Sequence, residues 1–126
     1  MTKRKLKPKI TIKECDTLWA KLIKLRAGNK SELSGKTERL NAHHLAGKPN
    51  YWLRYMELDN GFCCTAGEHI FGFHHAGRFM SYIKKVQALR GADIYERLEA
   101  IKSKSVKISL TEVKEFLETQ LKEYEK

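Results

Sequence analysis

Apolar side chains recur every three or four positions in several stretches of the chain, which is the spacing of a helix with one buried face. The first stretch follows Asp16, a predicted N-cap, and ends at Gly28, a residue type common just after a helix. Its apolar face is predicted to pack into the core, and the spacing gives Trp19 no role beyond that packing. The face consists of Leu18, Trp19, Leu22, Ile23 and Leu25.

Three further stretches with helical spacing occupy the C-terminal region. One runs from Phe79 to Leu89 and stops at Gly91. The next follows Asp93, a predicted N-cap, and the last follows Ser109, which forms a capping box with the glutamate three residues later. A basic connector, residues 102–107, separates these two helices. The C-terminal region is therefore predicted to be entirely helical.

Two short segments between the first and second helices are predicted to be strands, at Arg39–Leu45 and Gly61–Cys64. Residues 46–59 between them are predicted to form a long loop. Thr65, with Glu68 three residues later, forms a capping box that predicts a helix directly after the second strand. The predicted fold class is α+β, mostly helical, with one small hairpin.

The excess of basic residues in the composition predicts a polyanionic partner. The chain has 126 residues, enough for one domain, and carries 25 basic against 15 acidic residues, a net charge of +10. Such an excess of basic residues favours a nucleic acid over a membrane as the partner, although a basic ribosomal protein or a simply soluble protein has the same charge balance. Six basic residues and no acid lie in residues 1–13. This segment is predicted to be a basic arm that lies along phosphates, or else a solubilising tail, and residues 14–126 a single domain.

The chain shows neither a secretion signal nor an apolar stretch long enough for a membrane span, so no membrane partner is expected. Its three cysteines, Cys15, Cys63 and Cys64, make no plausible disulfide framework. A reducing cytoplasm is the predicted location.

All five histidines lie within one third of the chain, at positions 43, 44, 69, 74 and 75. Neighbouring residues on a strand point to opposite faces, so one histidine of the His43–His44 pair can meet His69 on the predicted helix. Two imidazoles form a metal site with positions left open for water and phosphate oxygens. The other histidine of the pair suits a general base, and the amide of Asn60 suits bonding backbone groups or orienting a ring.

The order and spacing of these residues resemble the HNH endonucleases, which belong to the ββα-metal (His-Me finger) nucleases. The resemblance rests on the pair His43–His44, Asn60 sixteen positions after His44, and His69 nine positions later. The flanking segments AHHL and LDNGFCC fit as well. It implies a central ββα-metal finger over residues 39–76 of an HNH nuclease domain, with a helical region over 78–126.

The resemblance also implies roles. His43 and His69 would be metal ligands, His44 the general base that activates water, and Asn60 the residue that holds the loop and the base in place. The expected activity is metal-dependent hydrolysis of DNA phosphodiester bonds, most simply as a nick, with one divalent ion. The sequence does not distinguish Mg, Mn, Zn and Ni. His74 would be a third ligand if the helix loosens after His69.

The zinc knuckle that many HNH proteins carry is altered in this chain. Serines, Ser31 and Ser34, stand at the first pair of cysteine positions, and at the second pair Cys64 is followed by Gly67 in place of a partner. Hydroxyls and a glycine do not replace thiolates on zinc. No structural zinc is expected, and this segment is predicted to be held by packing.

DNA is the predicted partner of a monomer or homodimer in a bacterial or phage-infected cell, and the C-terminal helices are more distantly similar to phage NinG (Rap) recombination nucleases. Lys48, Arg54 and Arg78 are candidates for phosphate contacts, or else solvated surface residues. Two alternatives remain: a non-catalytic nucleic-acid-binding module that keeps the HNH fold, and a structural metal domain that mediates protein contacts.

Overall fold

The computed structural model describes residues 9–69, 79–104 and 106–125. The chain is α+β, with helices around one small antiparallel hairpin, which confirms the predicted class. A ββα finger stays a prediction, because the helix after the hairpin is described only over its first turn. The elements are α1 (Ile12–Arg26), β1 (Leu40–His44), a π-helical turn (Trp52–Met56), a 3₁₀ turn (Leu58–Asn60), β2 (Gly61–Thr65), α2 (Ala66–Glu68), α3 (Phe79–Arg90), α4 (Ile94–Lys102) and α5 (Leu110–Tyr124).

The register of the hairpin decides which face each histidine of β1 occupies. His43 lies opposite Phe62, and His44 lies opposite Gly61. Residues directly opposite each other in an antiparallel pair point to the same face. His43 therefore shares the face of Phe62, and His44 points to the other face, where Gly61 presents no side chain.

The two faces of the hairpin pack into two separate apolar clusters. On the first, α1 and α5 pack together around Tyr55 and Cys63. On the second, α3 and α4 cover Phe62 and Cys64. Phe62, Cys63 and Cys64 thus enter alternate clusters, which is why β2 has no polar side chain before Thr65, as expected for a strand buried on both faces.

Helix α1 begins one turn earlier than predicted. Its N-cap is Thr11, whose hydroxyl oxygen accepts the Glu14 backbone N–H at 3.1 Å. The prediction of Asp16 as the N-cap is therefore wrong, because its carboxylate is bound to other side chains across the domain. The last two residues of the predicted arm lie in the helix, and residues 1–8 lie outside the described part of the chain. Within that part, no helix combines the length and apolar character needed to cross a bilayer.

One further local prediction is corrected and a second is refined. The predicted loop at residues 46–59 contains the π-helical and 3₁₀ turns, because Leu53 and Tyr55 of this segment are buried in different clusters. Asp93 is the N-cap residue of α4, as predicted, but its side chain makes no capping hydrogen bond, since its carboxylate pairs with Arg97 at 3.2 Å. The capping box at Ser109 is confirmed.

Gly61 is expected to tolerate no side chain, although its φ of −94° suits any residue. A Cβ at this position would overlap Cδ1 of Ile23 and lie 2.7 Å from its Cγ1 and 3.0 Å from Cζ2 of Trp19. Gly61→Ala is therefore expected to lower the free energy of unfolding by about 1–3 kcal/mol through overpacking. Chemical denaturation measures this change. Gly67→Ala, where the nearest atom is 3.9 Å away, is the matched control, and an equal loss in both variants would contradict the steric explanation.

Candidate functional site

The structure brings His43, and not His44, to His69. Nδ1 of His43 lies 2.9 Å from Nε2 of His69, and the two ring centroids are 4.4 Å apart with the planes inclined at 57°. The capping box of Thr65 and Glu68 produces this approach, because it starts the helix directly after β2 and thereby carries His69 back over β1. Both histidines are half-buried.

The spacing of these two nitrogens fits a shared metal ion. The two rings are hydrogen bonded at 2.9 Å, one nitrogen donating and the other accepting. A divalent ion that replaced the shared proton would be held by the same two nitrogens. Among residues 9–69, 79–104 and 106–125, no three His, Cys, Asp or Glu residues gather as a metal site. Water, phosphate oxygens or a further residue would therefore complete the coordination of an ion at His43 and His69.

His44 on the opposite face is held in one tautomer by the backbone. Its Nε2 lies 2.9 Å from the carbonyl oxygen of Arg54, in the π-helical turn. A carbonyl only accepts, so in the neutral ring Nε2 carries the proton and donates it. Nδ1 of His44 is then the nitrogen with a lone pair, which is the form that a general base requires.

The ring of His44 is also stacked on Trp19 of α1. The two ring centroids are 3.9 Å apart, and the planes are inclined at only 2°. Burial lowers the pKa of His44, and the positive charges of Lys48 and Arg54 lower it further, against the opposing effect of the Arg54 carbonyl. The pKa of His44 thus lies below the ordinary value of an imidazole, which keeps its ring neutral at neutral pH.

Asn60 fixes the start of the segment between the strands. Its buried amide accepts the Ala46 N–H at 2.8 Å and donates to the carbonyls of Gly47 and Leu53, at 3.0 Å each. The backbone carbonyl of Asn60 accepts the N–H of Leu45 at 2.8 Å. Asn60 therefore ties the end of β1 to the π-helical turn, whose Arg54 carbonyl holds His44. The amide of Asn60 forms no hydrogen bond with the imidazole of His44, whose Nε2 is bonded to Arg54 instead.

One cavity of about 350 Å³ joins the three histidines. It is lined by Ala42, His43, His44, Gly47, Lys48 and His69. Two larger cavities, of about 580 and 500 Å³, lie at residues 35–39 and between α1 and α5, away from the histidines. Size therefore does not identify the site, and the concentration of imidazoles does.

The predicted phosphate contacts are placed differently from one another. Lys48 is exposed at the wall of the histidine cavity. The guanidinium of Arg54 is instead paired with Asp16, with Nη2–Oδ2 at 2.6 Å and Nε–Oδ1 at 3.0 Å, and its side chain is only 15% exposed. The guanidinium of Arg54 therefore contacts Asp16 within the protein, while its backbone carbonyl bonds to His44 at the site. His74 and Arg78 lie outside the described residues.

Hydrogen bonds centred on Ser31 close the segment that resembles a zinc knuckle. The buried Ser31 hydroxyl donates to Oε1 of Glu68 at 2.6 Å and accepts the N–H groups of Leu33 and Ser34 at 3.1 and 3.2 Å. Oε1 of Glu68 also accepts the N–H of Thr65 at 2.8 Å. Leu33 packs in the second cluster, so hydrogen bonds add to the packing that was predicted to hold this segment.

Burial keeps the thiol of Cys64 protonated in the same segment. It raises the pKa of Cys64 to about 12, and the negative charge of Glu68 adds to the effect. Metal binding requires the thiolate form of cysteine. In this environment Cys64 is therefore a buried apolar residue of the second cluster.

Glu68 is expected to make the stability of the protein fall in acid. Burial by itself would raise the pKa of Glu68, but hydrogen bonds from Ser31 and Thr65 outweigh burial and lower it. A lowered folded-state pKa stabilises the fold above the unfolded pKa, and this contribution disappears as the pH falls through the folded pKa. Glu68→Gln is expected to lower the free energy of unfolding by about 1 kcal/mol at neutral pH. The difference in the free energy of unfolding between Glu68→Gln and the wild type should become smaller below about pH 4.3.

Urea denaturation at several pH values measures this difference. The exposed Glu115 on α5 provides the control variant Glu115→Gln, which should follow the wild type throughout. A Glu68→Gln difference that stayed constant with pH would show that the carboxylate charge is not involved.

Two residues that contact the site were not identified from the sequence. The helical spacing of the sequence places Trp19 in the core alone, and local capping rules make Asp16 a helix cap. Asp16 in fact accepts hydrogen bonds from Arg54 and from the Tyr55 hydroxyl, the latter at 2.7 Å. Burial would raise the pKa of Asp16, and these bonds lower it below its usual value. No local pattern signals contacts with partners 25 to 39 positions away along the chain.

Comparison of the chain with protein-family models, with curated proteins and with solved structures found no match.

Proposed function

We propose that this protein is a metal-dependent DNA endonuclease of the HNH type, with β1, β2 and the helix that begins at α2 as its ββα-metal finger. One observation carries the proposal. His43 and His69, whose ring nitrogens lie 2.9 Å apart, line the same cavity of about 350 Å³ as His44. A ligand pair and a neutral base in one cavity are what hydrolysis of a phosphodiester by water requires.

His44 would act as the general base. Its Nε2–H donates to the Arg54 carbonyl, so Nδ1 accepts a proton from the attacking water as the water oxygen bonds to phosphorus. The bond from phosphorus to the 3′ oxygen then breaks with its electron pair on that oxygen, which takes a proton from solvent water and leaves as a hydroxyl. A divalent ion at His43 and His69 would neutralise charge on the phosphate and on the departing oxygen.

DNA is the proposed substrate because of the charge of the chain and the position of Lys48. The net charge is +10, and Lys48 stands exposed at the cavity wall, where its ammonium group can pair with a phosphate next to the scissile one. A single site of this kind cuts one strand, so nicking is the proposed product. Double-strand cleavage would require two copies of the site.

A plasmid assay tests the proposal. Purified protein is incubated with supercoiled DNA and Mg²⁺, Mn²⁺, Ni²⁺ or Zn²⁺, and separately with EDTA. Nicked circles are expected with at least one metal and none with EDTA. His69→Ala is expected to weaken metal binding, measured by calorimetry, by about tenfold or more. Asn41→Ala, on the same strand as His43 but outside the cavity lining, is the control.

DNA binding without cleavage under any metal would overturn the nuclease. It would favour a nucleic-acid-binding module that keeps the HNH fold. Metal binding without any DNA binding would favour a structural metal domain instead.

A further inference from the structure

We propose that Trp19 and Asp16, two residues of α1 outside the finger, are positioning residues that hold the His44 ring in one plane and one tautomer. The inference rests on the proposed function of His44 as general base. It adds that helix α1, which is not part of the ββα finger, orients this base.

Trp19 fixes the plane of the His44 ring. The two rings are parallel within 2°, with centroids 3.9 Å apart, and Trp19 is only 3% exposed. The stack depends on Gly61, which lies opposite His44 in the hairpin. Since a Cβ on Gly61 would lie 3.0 Å from Cζ2 of Trp19 and overlap Ile23, only glycine leaves room for α1 to approach His44 this closely.

Core packing alone does not account for a tryptophan at position 19. The indole Nε1–H is buried and has no hydrogen-bond partner among the residues that the structure describes. Burying an unpaired donor is unfavourable, and a phenylalanine or leucine would fill apolar space without it. The feature that distinguishes Trp19 is the broad ring face that it presents to His44.

Asp16 fixes the acceptor of the His44 proton. Its carboxylate accepts Nε and Nη2 of Arg54 at 3.0 and 2.6 Å and the hydroxyl of Tyr55 at 2.7 Å. Arg54 and Tyr55 both belong to the π-helical turn. The backbone carbonyl of Arg54 accepts Nε2–H of His44 at 2.9 Å. Asp16 therefore anchors the π-helical turn through the side chains of Arg54 and Tyr55, and this keeps the Arg54 backbone carbonyl next to the His44 imidazole.

The two contacts restrain different motions of the ring. Stacking on Trp19 prevents His44 from tilting out of its plane, but a stacked ring can still turn over by rotation about χ2. The Arg54 carbonyl prevents that rotation, because only the present orientation gives it an N–H. Asp16 and Trp19 lie three positions apart on one face of α1, so one helix applies both restraints. Together they direct Nδ1 of His44 to the same side for every catalytic cycle.

The test is nuclear magnetic resonance of the His44 imidazole in the whole protein without added metal, at one fixed alkaline pH at which the ring is neutral. In the wild type, the nitrogen shifts should show a single tautomer with the proton on Nε2, and the stacked indole should move the ring protons upfield. Trp19→Leu should abolish the upfield shift. Asp16→Ala should mix the tautomers. Trp19→Phe keeps an aromatic face and should retain most of the wild-type pattern.

Two control variants separate positioning from general destabilisation. Leu22→Ala removes a buried side chain from the same helix and the same apolar cluster. Glu14→Ala removes a carboxylate of α1 that pairs with Lys114 at 2.9 Å, away from the site. Neither should change the His44 signals. Unchanged signals in Trp19→Leu and Asp16→Ala, or equal changes in the controls, would overturn the proposal. If Trp19→Leu does not fold, Asp16→Ala decides the question, since a single unchanged tautomer in that variant would overturn the proposal.

Kinetics provide the second readout. Trp19→Leu and Asp16→Ala are expected to lower kcat for plasmid nicking by about 10- to 100-fold, because a small displacement of a base has an effect of this size, with KM nearly unchanged. A rise in KM alone would contradict a positioning role. The resonance experiment does not depend on cleavage, so a protein that shows the expected signals but cuts no DNA refutes the proposed function and not the restraint of His44.

Discussion

Replacing His44 by alanine is expected to lower the rate of DNA nicking by about 100- to 10,000-fold, the range over which a positioned general base accelerates proton transfer. The variant loses the nitrogen that we propose as the acceptor of the water proton, while His43 and His69 on the other face keep their mutual distance. Metal binding and DNA binding should therefore remain close to those of the wild type. Single-turnover nicking of a supercoiled plasmid measures the rate.

The stack with Trp19 requires a control for this experiment, because His44→Ala leaves the indole face exposed to a cavity. His44→Gln keeps more of the side-chain volume and should be as inactive as the alanine variant. Lys48→Ala should instead weaken DNA binding and its dependence on salt while affecting the chemical step little. If His44→Ala cut DNA as fast as the wild type, the general-base role of His44 would be wrong.

Asn60→Ala is expected to be the most destabilising change at the site, with a loss of about 3 kcal/mol in the free energy of unfolding. The substitution removes the partner of the Ala46 N–H and of the carbonyls of Gly47 and Leu53. Leu53 is buried and cannot bond water in its place, whereas Gly47 is exposed and can. The segment that presents the Arg54 carbonyl to His44 would then lose its attachment to β1.

Chemical denaturation measures the stability of Asn60→Ala, and the plasmid assay measures its activity. Asn50→Ala is the matched control, because Asn50 is half-buried and its side-chain oxygen accepts the Leu53 N–H at 2.8 Å in the same segment. We expect a loss of about 1 kcal/mol there. Similar losses in the two variants would mean that the buried amide of Asn60 does not have the central structural role given to it.

The order of the helices could be predicted from the sequence because their information is local. Apolar residues at helical spacing and the capping boxes at Thr65 and Ser109 act over three or four positions, and both boxes form as predicted. The error at Asp16 concerns a local signal that a distant partner overrides, because Arg54, 38 positions away, binds the carboxylate that resembles a cap.

The segment between the strands could not be predicted for a related reason. Gly47, Pro49 and Asn50 indicate a loop, and the short-range pattern contains no sign of the turns that follow. Leu53 and Tyr55 are only two positions apart, yet they enter different apolar clusters. The backbone between them adopts a π-helical turn to satisfy both, and the clusters exist only once the helices have assembled.

The sequence by itself determined the positions of the histidines along the chain, their alternation on β1 and the start of the helix that carries His69. These follow from the two-residue period of a strand and from a capping box, both of which are local. Only the tertiary structure decided which histidine of β1 meets His69, because the register of the hairpin sets the face. It also decided how His44 is held, since the contact of α1 with His44 depends on a glycine on the neighbouring strand and on a carboxylate that local rules assign to a helix end.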